Sequence, residues 1–213
     1  MSNSNAQTSA DKRRPYRLGQ RARGQAETRR RIVEAAVDLH STLGPARTTV
    51  AQIAERAGVQ RHTYYAHFPE ERELFLACSG LALERAPLPE VEAWAALPPG
   101  RARLRHGLGQ LYDWYARNAA MTACVLRDAE IHALTGEMAA LRFAPTFGRA
   151  AELLGEELSG RARALLAVAI GFGCWQTLSE GCTPEGAADL MTDAITALSM
   201  DPVRPASSRP RAG

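Results

Sequence analysis

The stretch from Gln60 to Phe68, QRHTYYAHF, is dense in side chains with directional donors and acceptors. An amide, a guanidinium, an imidazole and a hydroxyl in succession, Gln60, Arg61, His62 and Thr63, suit hydrogen-bonded reading of base edges, with Arg61 best matched to guanine. Tyr65 and His67, which follow, suit phosphate oxygens. Covalent chemistry finds no comparable arrangement. The chain has no GxSxG elbow, no GxxxxGK loop, no HExxH and no GxGxxG placed after a strand. No two of its five histidines stand four residues apart, and His106 and His132 read as satisfied or exposed side chains. Cys78, Cys124, Cys174 and Cys182 are scattered without metal-ligand spacing and read as reduced thiols. No catalytic residue, metal ligand or cofactor is assigned.

Two short helices are needed to present the polar stretch. Val50, Ile53, Ala54 and Ala57 stand at i, i+3, i+4 and i+7, one apolar stripe. Thr49 precedes it as a cap, and Gln52 three residues later completes a capping box. Gly58 follows, where a left-handed helix end costs a residue without Cβ least. Val59 then packs back and a second helix runs from Gln60 to Phe68. Tyr64 and Phe68, four apart, are expected inside, with Tyr65 and His67 outside. Residues 49–68 therefore read as a helix-turn-helix.

The motif AxxAGV over 54–59, followed by RxTYYxHFP over 61–69, resembles the DNA-binding domain of TetR-family transcriptional regulators. The resemblance is detailed from about residue 26 to 85 and concerns layout alone beyond that. It implies that a first helix packs across the other two with Arg29 to Arg31 near the duplex backbone, and that Thr48 and Thr49 touch phosphate. It also implies a C-terminal body that binds a ligand and dimerises through its late helices. Two positions depart from the pattern. Glu71 stands where a phosphate-binding lysine is common, so that contact is assigned to Arg72, and His62 stands where a small residue is frequent.

Charge follows the same division. Residues 1–68 hold 12 Lys and Arg against 5 Asp and Glu, a balance of +7, while the remainder holds 14 against 18, a balance of −4. A basic head on a weakly acidic body is what phosphate neutralisation calls for. At 213 residues, with no run of about twenty apolar residues and no apolar N-terminal segment, the chain reads as a soluble cytoplasmic protein with no membrane partner.

Domain organisation follows from these signals and from the helical patterning downstream. Residues 1–24, polar and basic, read as a flexible arm, either one that settles on phosphates or a minor groove or a solvated tail with no defined site. Residues 25–85 read as the DNA-binding domain, with Pro69 opening its fourth helix. The stretch 86–100, with Pro87, Pro89, Pro98 and Pro99, reads as an irregular connection. Helices are expected near 101–118, 120–134, 136–157, 161–180 and 184–199, with Pro145 kinking or breaking the third. The fourth is apolar almost all round, with Gly171 and Gly173 read as sites of close backbone approach, so that it and the fifth are expected in a four-helix dimer interface. Residues 86–200 thus form a ligand-binding and dimerisation body, and 201–213 a disordered tail.

Candidate lining residues of an apolar pocket are Trp94, Tyr112, Tyr115, Met121, Cys124, Phe143, Phe147, Phe172 and Trp175. The expectation is an all-α homodimeric regulator of transcription, in the repressor mode. It binds a near-palindromic double-stranded operator and is released by a small apolar or amphipathic effector. The alternatives are a regulator without such an effector, constitutive or answering to a protein partner, and a helical enzyme or scaffold that retains the head.

Overall fold

The computed structural model describes residues 7–200, with side-chain surroundings from residue 20 onward; the tail expected at 201–213 lies outside them. The fold is all-α, with no strand among the described residues. Among the described residues two compact units are present: 7–86 together with 123–139, and 87–122 together with 140–200.

In the first unit, α1 (Gln7–Thr42), α2 (Val50–Arg56), α3 (Arg61–His67) and α4 (Glu71–Arg85) share one core. α1 carries Ile32, Val33, Ala35, Ala36, Val37 and Leu39 into it, and the short helices add Ile53, Ala54, Tyr64 and Phe68. Leu74 and Cys78 of α4 complete it. α1 begins at Gln7, inside the stretch expected to be a flexible arm. The helix runs there through Pro15 and Gly19, as an extension of a helix anchored by packing from residue 32 on.

A 3-10 turn, Pro45–Arg47, joins α1 to α2. A second 3-10 stretch, Val91–Ala96, occupies the connection expected to be irregular and buries Trp94 completely. In the second unit α5 (Arg101–Arg117) packs along α10 (Pro184–Met200), so that Leu104, Leu108 and Leu111 meet a stripe of Ala187, Ala188, Met191 and Ile195. Arg103 is buried on the same helix and satisfied: Nε donates to Leu97 O at 2.8 Å, and Nη1 reaches Leu153 O at 3.2 Å and Glu156 at 2.5 Å. A buried guanidinium is tolerated because each side of its fork finds an acceptor.

α6 (Ala119–Ala129) and α7 (Ala133–Leu154) each contribute residues to both units. Pro145, expected to kink or break its helix, lies inside a continuous α7. Pro145 and Leu141 are both exposed, so the carbonyl that loses its proline partner can turn to water. The single helix expected over 161–180 is instead two, α8 (Gly160–Ala169) and α9 (Phe172–Leu178), with Gly171 extended between them. Tyr112 donates its hydroxyl to Ala169 O at 2.9 Å and Tyr115 to Ile170 O at 2.7 Å, which satisfies carbonyls at the break. Gly171 is thus a helix break, and within one copy a Cβ on Gly173 would meet nothing within 4 Å.

Candidate nucleic-acid interface

The geometry of the helix pair follows from its termini. Thr49 sits extended before α2, its hydroxyl accepting the Gln52 N–H at 3.3 Å while the Gln52 side-chain oxygen accepts the Thr49 N–H at 2.8 Å. The Thr49 hydroxyl also donates to that oxygen at 2.9 Å. At the other end Gly58 takes a φ of +63°, Val59 N–H reaches Ala54 O at 2.9 Å and Gly58 N–H reaches Glu55 O at 3.0 Å. That pair of bonds is the Schellman pattern, and it turns the chain sharply enough for Val59 to pack on the core.

α3 then starts from an extended Gln60 whose side chain makes no bond to its own helix. Gln60, Arg61 and His62 are exposed and Thr63 is half-buried. Tyr64 and Phe68 are 2% and 1% exposed, whereas Tyr65 is 53% exposed and His67 half-buried. The two buried rings lie 6.1 Å apart and hold the inner side of the helix, and Tyr65 meets Tyr64 edge-on at 5.3 Å. Burial, with Glu71 adding to it, pushes the Tyr64 hydroxyl up to about 12, so it stays protonated. The structure therefore brings Gln60, Arg61, His62, Thr63, Tyr65 and His67 to one short helix anchored from behind.

Thr48 and Thr49 stand at the entry to α2 with their hydroxyl protons engaged, Thr48 donating to Gly44 O at 2.8 Å. A phosphate meeting these hydroxyls would have to compete for those protons. Arg72 forms an ion pair with Glu137 of α7, both side chains being about half exposed. It reaches an outside anion only by sharing or leaving that partner.

The arginines expected near the duplex backbone differ in what they touch, and one further residue, Arg47, was not legible as a site residue. The Arg29 guanidinium lies 4.3 Å over the Phe68 ring and so braces the end of α3 from α1, a cation–π contact between side chains 39 positions apart. Arg31 lies close to the Gly58 turn. Arg47 is exposed just before Thr48 and Thr49, where its neighbours alone could have suggested it. Arg30, by contrast, is held between Glu27 and Glu34 at 2.7 Å each.

Of the expected pocket residues, Tyr115, Phe143, Phe147, Phe172 and Trp175 join Trp114 in a cluster of rings in the second unit, with neighbouring centroids 5.3 to 6.1 Å apart. Tyr112 reaches the same α8 end through its hydroxyl. Trp94 instead packs against Gly107 and donates to Gln110 Oε1 at 2.7 Å. Met121 is half-buried on α6. Cys124 falls in the first unit, its thiol 3.8 Å from Thr42 O, so it is not grouped with the rings. Among the described residues no group of His, Cys, Asp and Glu could hold a metal ion, and no helix is long and apolar enough to cross a membrane.

Comparison with known proteins locates the helix pair. The family described as bacterial regulatory proteins, tetR family, matches residues 32–78. The HTH-type transcriptional regulator TtgR of Pseudomonas putida is 51% identical over 51 residues, which is 24% of this chain and 24% of that relative. The match thus spans about a quarter of the relative's length. Among solved structures, a Mesorhizobium loti protein described as a TetR-family transcriptional regulator superposes with a TM-score of 0.57 at 18% identity, over 82% of this chain and 97% of that one. A Clostridium perfringens protein described as a fatty acid metabolism regulator does so with a TM-score of 0.58 at 20% identity, over 78% and 97%. At these identities the two structures speak for the fold alone.

Proposed function

We propose that this chain, whose residues 32–78 match the family described as bacterial regulatory proteins, tetR family, is a cytoplasmic, ligand-responsive repressor that binds a near-palindromic operator as a homodimer. The observation that carries the reading is the first turn of α3. Gln60, Arg61 and His62 are exposed on a helix whose inner side is pinned by buried Tyr64 and Phe68. A guanidinium there takes guanine O6 and N7 together, and a neighbouring amide or imidazole selects its own edge. Thr48, Thr49, Tyr65 and His67 hold phosphates, and Arg72 joins them while shared with Glu137.

Dimerisation through α8 and α10 is supported by what one copy leaves uncovered. The two helices pack on each other, yet Val168 is 59% and Leu190 49% exposed, with Ala164 and Ala167 beside Val168 on the outer side of α8. A second copy laid on that surface completes a four-helix arrangement. Two recognition helices related by its two-fold axis then read major grooves about one duplex turn apart. The ring cluster of the second unit is the place for a small apolar or amphipathic effector. Such a molecule releases the operator if it prefers a separation of the heads that misfits the grooves, and operator and effector then weaken each other reciprocally.

Mobility shift across a salt series, on a duplex enriched by the protein from a random-sequence pool and on a scrambled control, tests the reading. Arg61→Ala should relax base preference by about 1–3 kcal/mol at one position, whereas Tyr65→Phe should weaken both duplexes alike. The reversed pattern refutes the assignment of roles, and binding without any sequence preference refutes the regulator.

A further inference from the structure

The chain enters α2 through a turn that cannot cap itself. The 3-10 turn Pro45–Arg47 is preceded by Gly44, which has no side chain to offer and sits at a φ of +99°. Its early N–H at Ala46 has no local acceptor. The acceptor comes from the end of α6, 82 residues later: Asp128 Oδ2 takes the Ala46 N–H at 2.9 Å.

Asp128 is 0% exposed, and a buried carboxylate persists only with donors around it. Arg127 supplies another, Nε to Asp128 Oδ1 at 2.8 Å, and its Nη2 donates to Leu43 O at 2.9 Å. The two consecutive residues thus grip the turn and its entry, one taking the Ala46 N–H and the other bonding the Leu43 carbonyl just before it. No slack remains, because a Cβ on Gly44 would lie 2.3 Å from both Arg127 Nη2 and Asp128 Oδ2.

What the grip holds leads directly to the recognition helix. Arg47 N–H and the Thr48 hydroxyl both bond Gly44 O, at 3.3 and 2.8 Å, and Thr48 N–H bonds Pro45 O at 3.2 Å. Thr49 caps α2 at the next residue, and the Gly58 turn passes the direction of α2 to α3. We propose that Asp128, together with Arg127, is a positioning residue for DNA recognition, clasping the α1–α2 turn so that α2 and α3 leave it in the one direction that fits the groove. The inference rests on the DNA-reading function proposed above. It gives a segment otherwise joined to the body helices a role in sequence readout, with no DNA contact of its own.

The test is binding of Asp128→Asn to the enriched duplex and to its scrambled control, well below the unfolding midpoint of each protein. The amide keeps size and one acceptor but removes the charge facing Arg127. Affinity for the enriched duplex should fall at least about fivefold, as expected for loss of a charge-assisted bond, while affinity for scrambled DNA moves less than about twofold. Register-dependent contacts need the helix direction, and charge contacts do not. A clasp that only stabilises the fold would lower the midpoint and leave both affinities unchanged, which overturns the proposal, as does an equal loss on both duplexes. Should Asp128→Asn fail to fold, Arg127→Gln decides, since Arg127 is exposed; it should show the same selective loss. A wild-type protein that enriches no duplex removes the DNA-reading premise, whereas enrichment with unaltered variants removes the clasp alone.

Discussion

Lowering the pH from 7 to 5 should cost the N-terminal unit about 2 kcal/mol through His40 alone. The imidazole sits near the end of α1, 8% exposed, tilted against Phe75 at 5.2 Å with Nδ1 3.6 Å from Cys78 Sγ. His132 lies on the other contact of Phe75, ring centroids 5.6 Å apart. Burial, reinforced by the charge of His132 and opposed by that of Asp128, pulls His40 from 6.5 down to about 4. Between those values the unfolded chain holds the proton more readily than the folded one. Stability is therefore full above about pH 6.5 and is lost as the pH falls toward 4. Each tenfold change in proton affinity is worth about 1.4 kcal/mol, so the whole loss is about 3 kcal/mol, of which about 2 is gone by pH 5. Urea unfolding followed by helical circular dichroism at pH 7, 6 and 5, for wild type and His40→Gln, isolates the effect, because carboxylate titrations are common to both. The wild type should lose about 2 kcal/mol more than the variant over that range. Equal losses, or a His40 ring that titrates near 6.5 by nuclear magnetic resonance, would refute the reasoning.

Other perturbations read separate parts of the fold. Thr49→Ala removes the reciprocal cap of α2 and should lower stability by about 1 kcal/mol in urea. Gly107→Ala places a Cβ 2.6 Å from Leu154 Cδ2 and 3.0 Å from the buried Trp94 ring, so overpacking should cost about 1–3 kcal/mol, with the emission of Trp94 shifted if the indole moves. Tyr115→Phe leaves the buried Ile170 carbonyl without its donor and should cost about 1–3 kcal/mol by thermal unfolding; an unchanged midpoint would mean that the hydroxyl does not satisfy the helix break.

The parts of the interface that the sequence makes legible are those whose physics is short-range. A capping box needs residues three apart, and a left-handed helix end needs one glycine. The inner side of a two-turn helix needs two aromatic residues at a spacing of four. Thr49 with Gln52, Gly58, and Tyr64 with Phe68 meet these conditions within the span 49–68, and the structure has each arrangement as expected. The charge division between residues 1–68 and the remainder is likewise a property of composition.

Tertiary packing decided the rest. Proline at 145 is a breaker by its own chemistry, yet the carbonyl it orphans lies on an exposed side where water can serve, so the helix continues. The apolar run over 161–180 has the pattern of one helix, and it divides at Gly171 beside two tyrosine hydroxyls from α5 that accommodate the break. Arg72 reads as a cation free for phosphate until Glu137 is folded against it. The cap of the turn before α2 belongs to a carboxylate 82 residues away. By itself the sequence determined which short segments become helices and which polar side chains a recognition helix can present, because those depend on neighbours a turn apart. Only the tertiary structure decided which donors and charges meet across long loops, because the burial that makes such bonds strong exists only once the chain has folded.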